Sequence, residues 1–270
     1  MTDPSIFNIL LAWPFLNILV FCYQILSFIG LPYALGFSII MLTIIIRLVL
    51  YPLTAQQLKA SKKMQDVGPK LSRLKERHKG DSKTLQQETM KLYKEHGINP
   101  ASGCLPILVQ IPIIWGLYNV LSTIVKLKPN EIVEQINKIV YFDQLRLTSS
   151  WDTTFFGLPL GKTPSDLLSS VGLLIILIPL ITGLLQFVQS KMLFPSQKGP
   201  KTSGKKESDF AQIFQTQTTY IFPIMIGFLS YTFPLGLSLY WNTFTVFGII
   251  QQYKMQGPQA IQNLKDILKR

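Results

Sequence analysis

The sequence predicts an all-α polytopic membrane protein: five transmembrane helices, a cytoplasmic helical hairpin and an N-terminal extracytoplasmic interfacial helix. Three observations carry that expectation. Apolar residues make up 48% of the chain. The charges are gathered into blocks between long uncharged runs. The excess of Lys and Arg, 26 against 14 Asp and Glu, falls mainly in alternate loops.

The N-terminal segment, residues 1–34, contains an apolar run from Ile6 to Ile29 interrupted by Asn8, Pro14, Asn17 and Gln24. Pro14 is expected to break it. Trp13 and Tyr23 are residue types favoured at a membrane interface. Taken alone, the run is as compatible with lying flat as with crossing. The start, Met1-Thr2-Asp3-Pro4, has no basic region, so a conventional signal peptide is not expected. Leu19-Val20-Phe21-Cys22 has a lipobox-like outline, but Phe21 spoils the small-residue cleavage site.

Residues 35–58 form the first span, which ends near Pro52 to Leu58 and carries Arg47 near its middle. A guanidinium in hydrocarbon costs about 2.5–3.5 kcal/mol on insertion scales. It cannot lose its proton instead. No acid lies in any apolar stretch of the chain, so the charge requires a polar or water-filled surrounding. Snorkelling is the plain alternative, but Arg47 is ~18 Å of helix from either end of the span.

Residues 59–98 form the hairpin. Eleven Lys and Arg, including Lys59, Lys62, Lys63, Arg73 and Arg77, stand against five acids between Lys59 and Glu95. Met64, Val67, Leu71 and Leu74 make an apolar stripe at helical spacing. Gly68-Pro69 is expected to break the first arm. Gly80-Asp81 reads as the turn, and Ser82 as the cap of the second arm.

The second span, 99–127, holds Gln110, Pro106 and Pro112. The extracytoplasmic loop, 128–166, has Trp151 and Phe155-Phe156 as interfacial anchors. The third span, 167–194, contains Pro179 and has Gln186, Gln189 and Lys191 near its end. A Lys/Gly/Ser/Pro linker covers 195–213. The fourth and fifth spans, 214–255, meet at Phe233-Pro234-Leu235-Gly236, and a small basic tail covers 256–270. Twenty Lys and Arg then fall on the side of the hairpin, linker and tail, and five on the other. That bias puts the hairpin and C-terminus in the cytoplasm and the N-terminus outside, and it favours an interfacial 6–29 segment. Cys22 and Cys104 come at opposite ends of the membrane, so no bridge is expected.

Enzyme readings fail. Gly236-Leu237-Ser238-Leu239 has the outline of an intramembrane serine nucleophile, but both histidines, His78 and His96, lie in the charged block. A serine without a base in reach is not activated. No catalytic, metal-ligating or cofactor-binding constellation is present in the sequence. Small-anion transport, with Arg47 as the solute site, is the physical rival, although five spans show no internal repeat.

Four blocks carry a resemblance. They are Arg47-Leu48-Val49-Leu50-Tyr51-Pro52-Leu53; Gln57-Leu58-Lys59-Ala60-Ser61-Lys62-Lys63-Met64-Gln65; Gly97 through Pro112, with Asn99-Pro100 and Cys104-Leu105-Pro106 inside it; and Pro234-Leu235-Gly236-Leu237-Ser238-Leu239-Tyr240-Trp241-Asn242. In this order, over about residues 8–255, the chain resembles the YidC/Oxa/Alb membrane protein insertases. The resemblance implies an interfacial helix from Leu11 to Gly30 and a hydrophilic groove open to cytoplasm and lipid but sealed outside. It matches Arg47 to the groove arginine and places Thr43, Gln110, Gln189 and Trp241 along the groove. It also implies insertion of newly made membrane proteins, alone or beside the Sec translocon. The partners it implies are the ribosome, the signal recognition particle and membrane lipids, with the chain working as a monomer in a bacterial plasma membrane. The chain departs from some members in lacking a large extracytoplasmic domain before the first span, a usable lipobox and a long basic tail.

Overall fold

The computed structural model describes residues 3–78, 80–99, 105–126, 129–193 and 216–257, and most of them are helical. A π-turn, Asn8–Ala12, leads into α1 (Trp13–Phe28). Then come α2 (Ala34–Val49), α3 (Tyr51–Arg77), α4 (Ser82–Glu95), α5 (Leu105–Lys126) and α6 (Pro129–Asn137). An antiparallel pair, β1 (Thr154–Phe155) and β2 (Leu158–Pro159), precedes α7 (Pro164–Val171) and α8 (Leu177–Leu193). A second π-turn, Gln217–Ile221, opens the last pair, α9 (Phe222–Thr232) and α10 (Leu235–Gln256). The expected linker at 195–213, most of the tail and Cys104 lie outside the described residues.

Two stretches, Asn8–Phe28 and Leu173–Leu193, are long and apolar enough to cross a membrane. The pair Ala34–Val49 and Tyr51–Met64 makes a third if counted as one span, and the apolar part of α5, Val109–Ile124, is shorter. The chain folds as two compact units. The first gathers Met1–Val49, Leu108–Leu185 and Ile224–Phe247; the second gathers Leu50–Ile107, Gln186–Pro223 and Gly248–Arg270.

Proline explains several element boundaries. Its ring crowds the carbonyl four residues earlier, and it has no N–H to give back. Pro14 was expected to break the first apolar run, but the helix continues to Phe28. The turn before it opens to π spacing, with the Trp13 N–H reaching the Asn8 carbonyl. The same device stands before Pro223, where the Phe222 N–H reaches Gln217. The Arg47 helix stops at Val49, earlier than the sequence reading placed it, because Pro52 falls in the first turn of α3, where a missing N–H costs nothing.

In the second unit, α3 runs unbroken through Pro69, contrary to the expected break. Pro69 is exposed, while Val67 and Leu71 on the other face pack on Leu92, Tyr93 and Ile98, with Met64 alongside. That cluster holds the helix across the missing hydrogen bond. The cap of α4 is Asp81 and not Ser82: its carboxylate accepts the Thr84 N–H at 3.1 Å. Asp reaches the third amide of the helix, and this hydrogen bond holds the carboxyl below the usual carboxylate range. A depressed folded-state pKa means that the cap contributes above the unfolded value and is lost as pH falls through the lowered one. Protection of the Thr84 amide, taken relative to its intrinsic exchange rate, should therefore fall on acidification, and in Asp81→Ala it should be low already at neutral pH; unchanged protection in both tests would refute the cap.

In the first unit, α1 packs on α2, with Leu16, Leu19, Leu35, Ile39 and Leu42 fully buried. The polar residues that interrupt the N-terminal run are its handles. Asn8 accepts from the Asn119 side chain at 2.9 Å. Asn17 donates to the Ile139 carbonyl and accepts the Tyr141 N–H at 2.7 Å. Gln24 donates to the Arg146 carbonyl. The loop after α6 is thus tied to α1 along its length.

The β-hairpin turns through Phe156 and Gly157, both with positive φ (48° and 80°), the backbone of a two-residue type I′ turn. Phe155 packs among Tyr33, Phe37 and Phe156, and its ring lies against Gly36 so closely that a Cβ there would overlap it. Beyond β2, the Leu160 and Lys162 carbonyls accept the Gly236 and Leu235 N–H groups at 2.7 and 3.0 Å, capping α10. The stretch read as a third span divides at Gly172 (φ 79°). Before it, Thr163 and Asp166 form a reciprocal capping box that starts α7.

Candidate functional site

Arg47 lies on α2 one turn beyond Thr43, and the side chains that meet it come from α10. The Arg47 Nε–H donates to the Phe244 carbonyl at 3.0 Å, and Nη2 donates to the same oxygen. Its Cζ stands 3.4 Å from the centre of the Phe244 ring. The residue is 4% exposed. The sequence reading asked for a polar or water-filled surrounding; the structure sets a carbonyl and an aromatic face against the charge.

Behind Phe244, the Tyr240 ring stands at 5.6 Å, and the Tyr240 hydroxyl accepts from Gln110 Nε2 of α5 at 2.9 Å. Trp241 is buried on α10 and stacks with Phe233 at 6.2 Å. Thr43 is fully buried and donates back to the Ile39 carbonyl at 2.6 Å, so its hydroxyl is satisfied within its own helix. A chain of hydroxyls, Thr182–Ser230–Ser238, crosses from α8 through α9 to α10 at 3.1 and 2.8 Å. Nearby, Gly227 lets α9 approach the Pro179 carbonyl, as expected of small-residue packing. Ser238 is therefore a helix contact.

Four of the expected groove residues, Arg47, Thr43, Gln110 and Trp241, belong to the first unit. Gln189 belongs to the second and is half-buried on α8. Lys59, Lys62, Lys63, Arg73 and Arg77 are all exposed on α3. Two residues that sequence reasoning did not single out, Tyr240 and Phe244, shape the arginine's surroundings. Their one signal is spacing: they stand a helical turn apart and bracket Trp241.

Electrostatically the site is unbalanced. Burying a charge without partners costs several kcal/mol. A charged hydrogen bond returns about 1.5–3 kcal/mol and a desolvated cation–π contact about 2. Neither partner is negative. Among the described residues the ion pairs recorded are Lys138–Glu134 and Arg146–Asp143, both exposed and distant in sequence. The site therefore holds a positive charge able to attract an anion.

A second buried cation occurs in the other unit. Lys191, 5% exposed, donates to the Tyr220 hydroxyl at 2.6 Å and lies over the Tyr220 and Phe187 rings. It uses the same means as Arg47, an oxygen and aromatic faces.

A family model described as 60Kd inner membrane protein matches residues 25–262. The chain belongs to the YidC/Oxa/Alb family. Similar chains include the membrane protein insertase YidC of Streptomyces avermitilis, 34% identical over 225 residues, 82% of this chain and 50% of that one. The inner membrane protein ALBINO3 of Arabidopsis thaliana chloroplasts is 34% identical over 234 residues, 84% of this chain and 47% of its own. The membrane protein insertase MisCA of Bacillus subtilis is 33% identical over 235 residues, 84% and 72%. The chain thus spans about half the length of the first two relatives. YidC/Oxa/Alb membership and the apolar helices make it a membrane protein.

Proposed function

We propose that this chain is a membrane protein insertase, and that Arg47 draws the acidic, translocated part of a passenger into the membrane while the passenger's apolar helix partitions into lipid. The single observation that carries the reading is the buried guanidinium whose partners are uncharged. A hydrophilic segment crossing a bilayer is penalised chiefly in the dry core, and a fixed positive charge partway across lowers that barrier for acids. Hydrophobic partition drives the apolar part sideways, without ATP.

The accompanying topology is five spans, with the α3–α4 pair and C-terminus in the cytoplasm and the N-terminus outside. Arg47, Thr43, Gln110 and Trp241 form the groove; Gln189 is included on the family resemblance alone. Lys59, Lys62, Lys63, Arg73 and Arg77 meet anionic headgroups, worth about 1 kcal/mol each near the surface, or ribosomal RNA. Nascent membrane proteins are the passengers, and the Sec translocon, the ribosome and the signal recognition particle are the proposed partners of a monomer.

The test is reconstitution of the purified chain in liposomes with a small single-span coat-type protein. Protease-protected passenger supports the insertase. Flux of a small anion without insertion would replace this reading with a transporter.

A further inference from the structure

We propose that Phe244 is a specificity-determining residue: its ring and carbonyl hold Arg47 withdrawn, and an acidic group of the passenger takes the carbonyl's place. The second half rests on the insertase reading; the first does not.

The argument starts from a mismatch of shapes. A guanidinium presents parallel N–H groups that fit the two oxygens of a carboxylate. Here two of them, on Nε and Nη2, converge on one carbonyl oxygen. That oxygen already has a claimant, because in an α-helix the Phe244 carbonyl pairs with the amide of Gly248. The ring of the same residue covers the guanidinium face at 3.4 Å. The two contacts come from one residue, so they act together. Tyr240, held by Gln110, backs the ring.

An incoming carboxylate offers two oxygens and a full negative charge. It can replace the carbonyl edge-on without disturbing the ring, and the carbonyl keeps its bond within its own helix. A neutral amide or hydroxyl offers nothing that the carbonyl does not already supply, so it leaves Arg47 where it is. Phe244 thereby sets a threshold that acids pass and neutral groups do not. No covalent step is involved.

The experiment uses the full chain in proteoliposomes and phenylglyoxal, an arginine-specific reagent, with adducts at Arg47 and at exposed Arg73 quantified by mass spectrometry. In the wild type, Arg47 should react far more slowly than Arg73. Phe244→Leu keeps the carbonyl and removes the ring, and should speed reaction at Arg47 about thirtyfold, the factor a desolvated cation–π contact supplies. Phe244→Tyr keeps a ring face and should restore the slow rate. The Arg73 rate should stay constant throughout, which separates release of Arg47 from general unfolding. Fast labelling of Arg47 in the wild type, or an unchanged rate in Phe244→Leu, overturns the proposal. Passengers with Asp-bearing and Asn-bearing tails are then added: the acidic one should alter Arg47 labelling and the neutral one should not. Equal effects overturn the selectivity. The expected labelling series together with no insertion of either passenger would refute the insertase and leave the withdrawn arginine standing.

Discussion

Arg47→Ala should sharply slow insertion of passengers whose translocated tail carries Asp or Glu and leave the stability of the protein undiminished. The two effects separate because of what surrounds the side chain. A charge-assisted hydrogen bond is worth about 1.5–3 kcal/mol, so its loss should lower the insertion rate of acid-tailed passengers roughly tenfold to a hundredfold. Removing one member of a buried ion pair usually destabilises strongly because the other charge is orphaned. At Arg47 no charge is orphaned: a carbonyl keeps its helical amide and a ring loses one contact. Thermal unfolding in detergent should therefore show a Tm equal to or above that of the wild type. Arg47→Lys keeps the charge and loses the fork, so it should retain part of the activity. Full activity of Arg47→Ala with acid-tailed passengers would contradict the role given to the charge, and a large fall in Tm would mean that its present partners matter more for folding.

Gly36→Ala should destabilise the first unit by about 1–3 kcal/mol, the range for inserting atoms into a filled space. The added methyl would overlap the Phe155 ring, which must then leave its place against α2. The diagnostic is non-additivity. In a Phe155→Ala background the space is open, so the same Gly36→Ala change should lose most of its effect. Equal penalties in both backgrounds would show that Gly36 is sensitive for some other reason.

What the residues disclosed in advance follows a physical rule. Arg47 was legible because a charge in an apolar run violates the composition of its surroundings, and the α3 stripe because periodicity survives without tertiary information. Phe244 was not legible. A phenylalanine in an apolar helix breaks no pattern, and half of its work is done by a carbonyl that every residue owns. The Pro14 break was expected from proline's missing donor, but a π-turn relaxes the same conflict and leaves no mark on side-chain identity. Thr163 and Asp166 carried a capping signature in plain view, yet the apolar residues after them hid the division at Gly172. Asp81 and Ser82 are both good caps, and only geometry chooses between adjacent candidates.

The carbonyl caps that Leu160 and Lys162 place on α10 turn the start of that helix into a fulcrum. Phe244 lies eight residues beyond Gly236, a lever arm of ~12 Å at 1.5 Å per residue. Over that arm a tilt of about 5° swings the Phe244 carbonyl by about 1 Å, enough to part it from a donor now at 3.0 Å. A change in the loop that carries Leu160 and Lys162 can thus retune a guanidinium that it never touches.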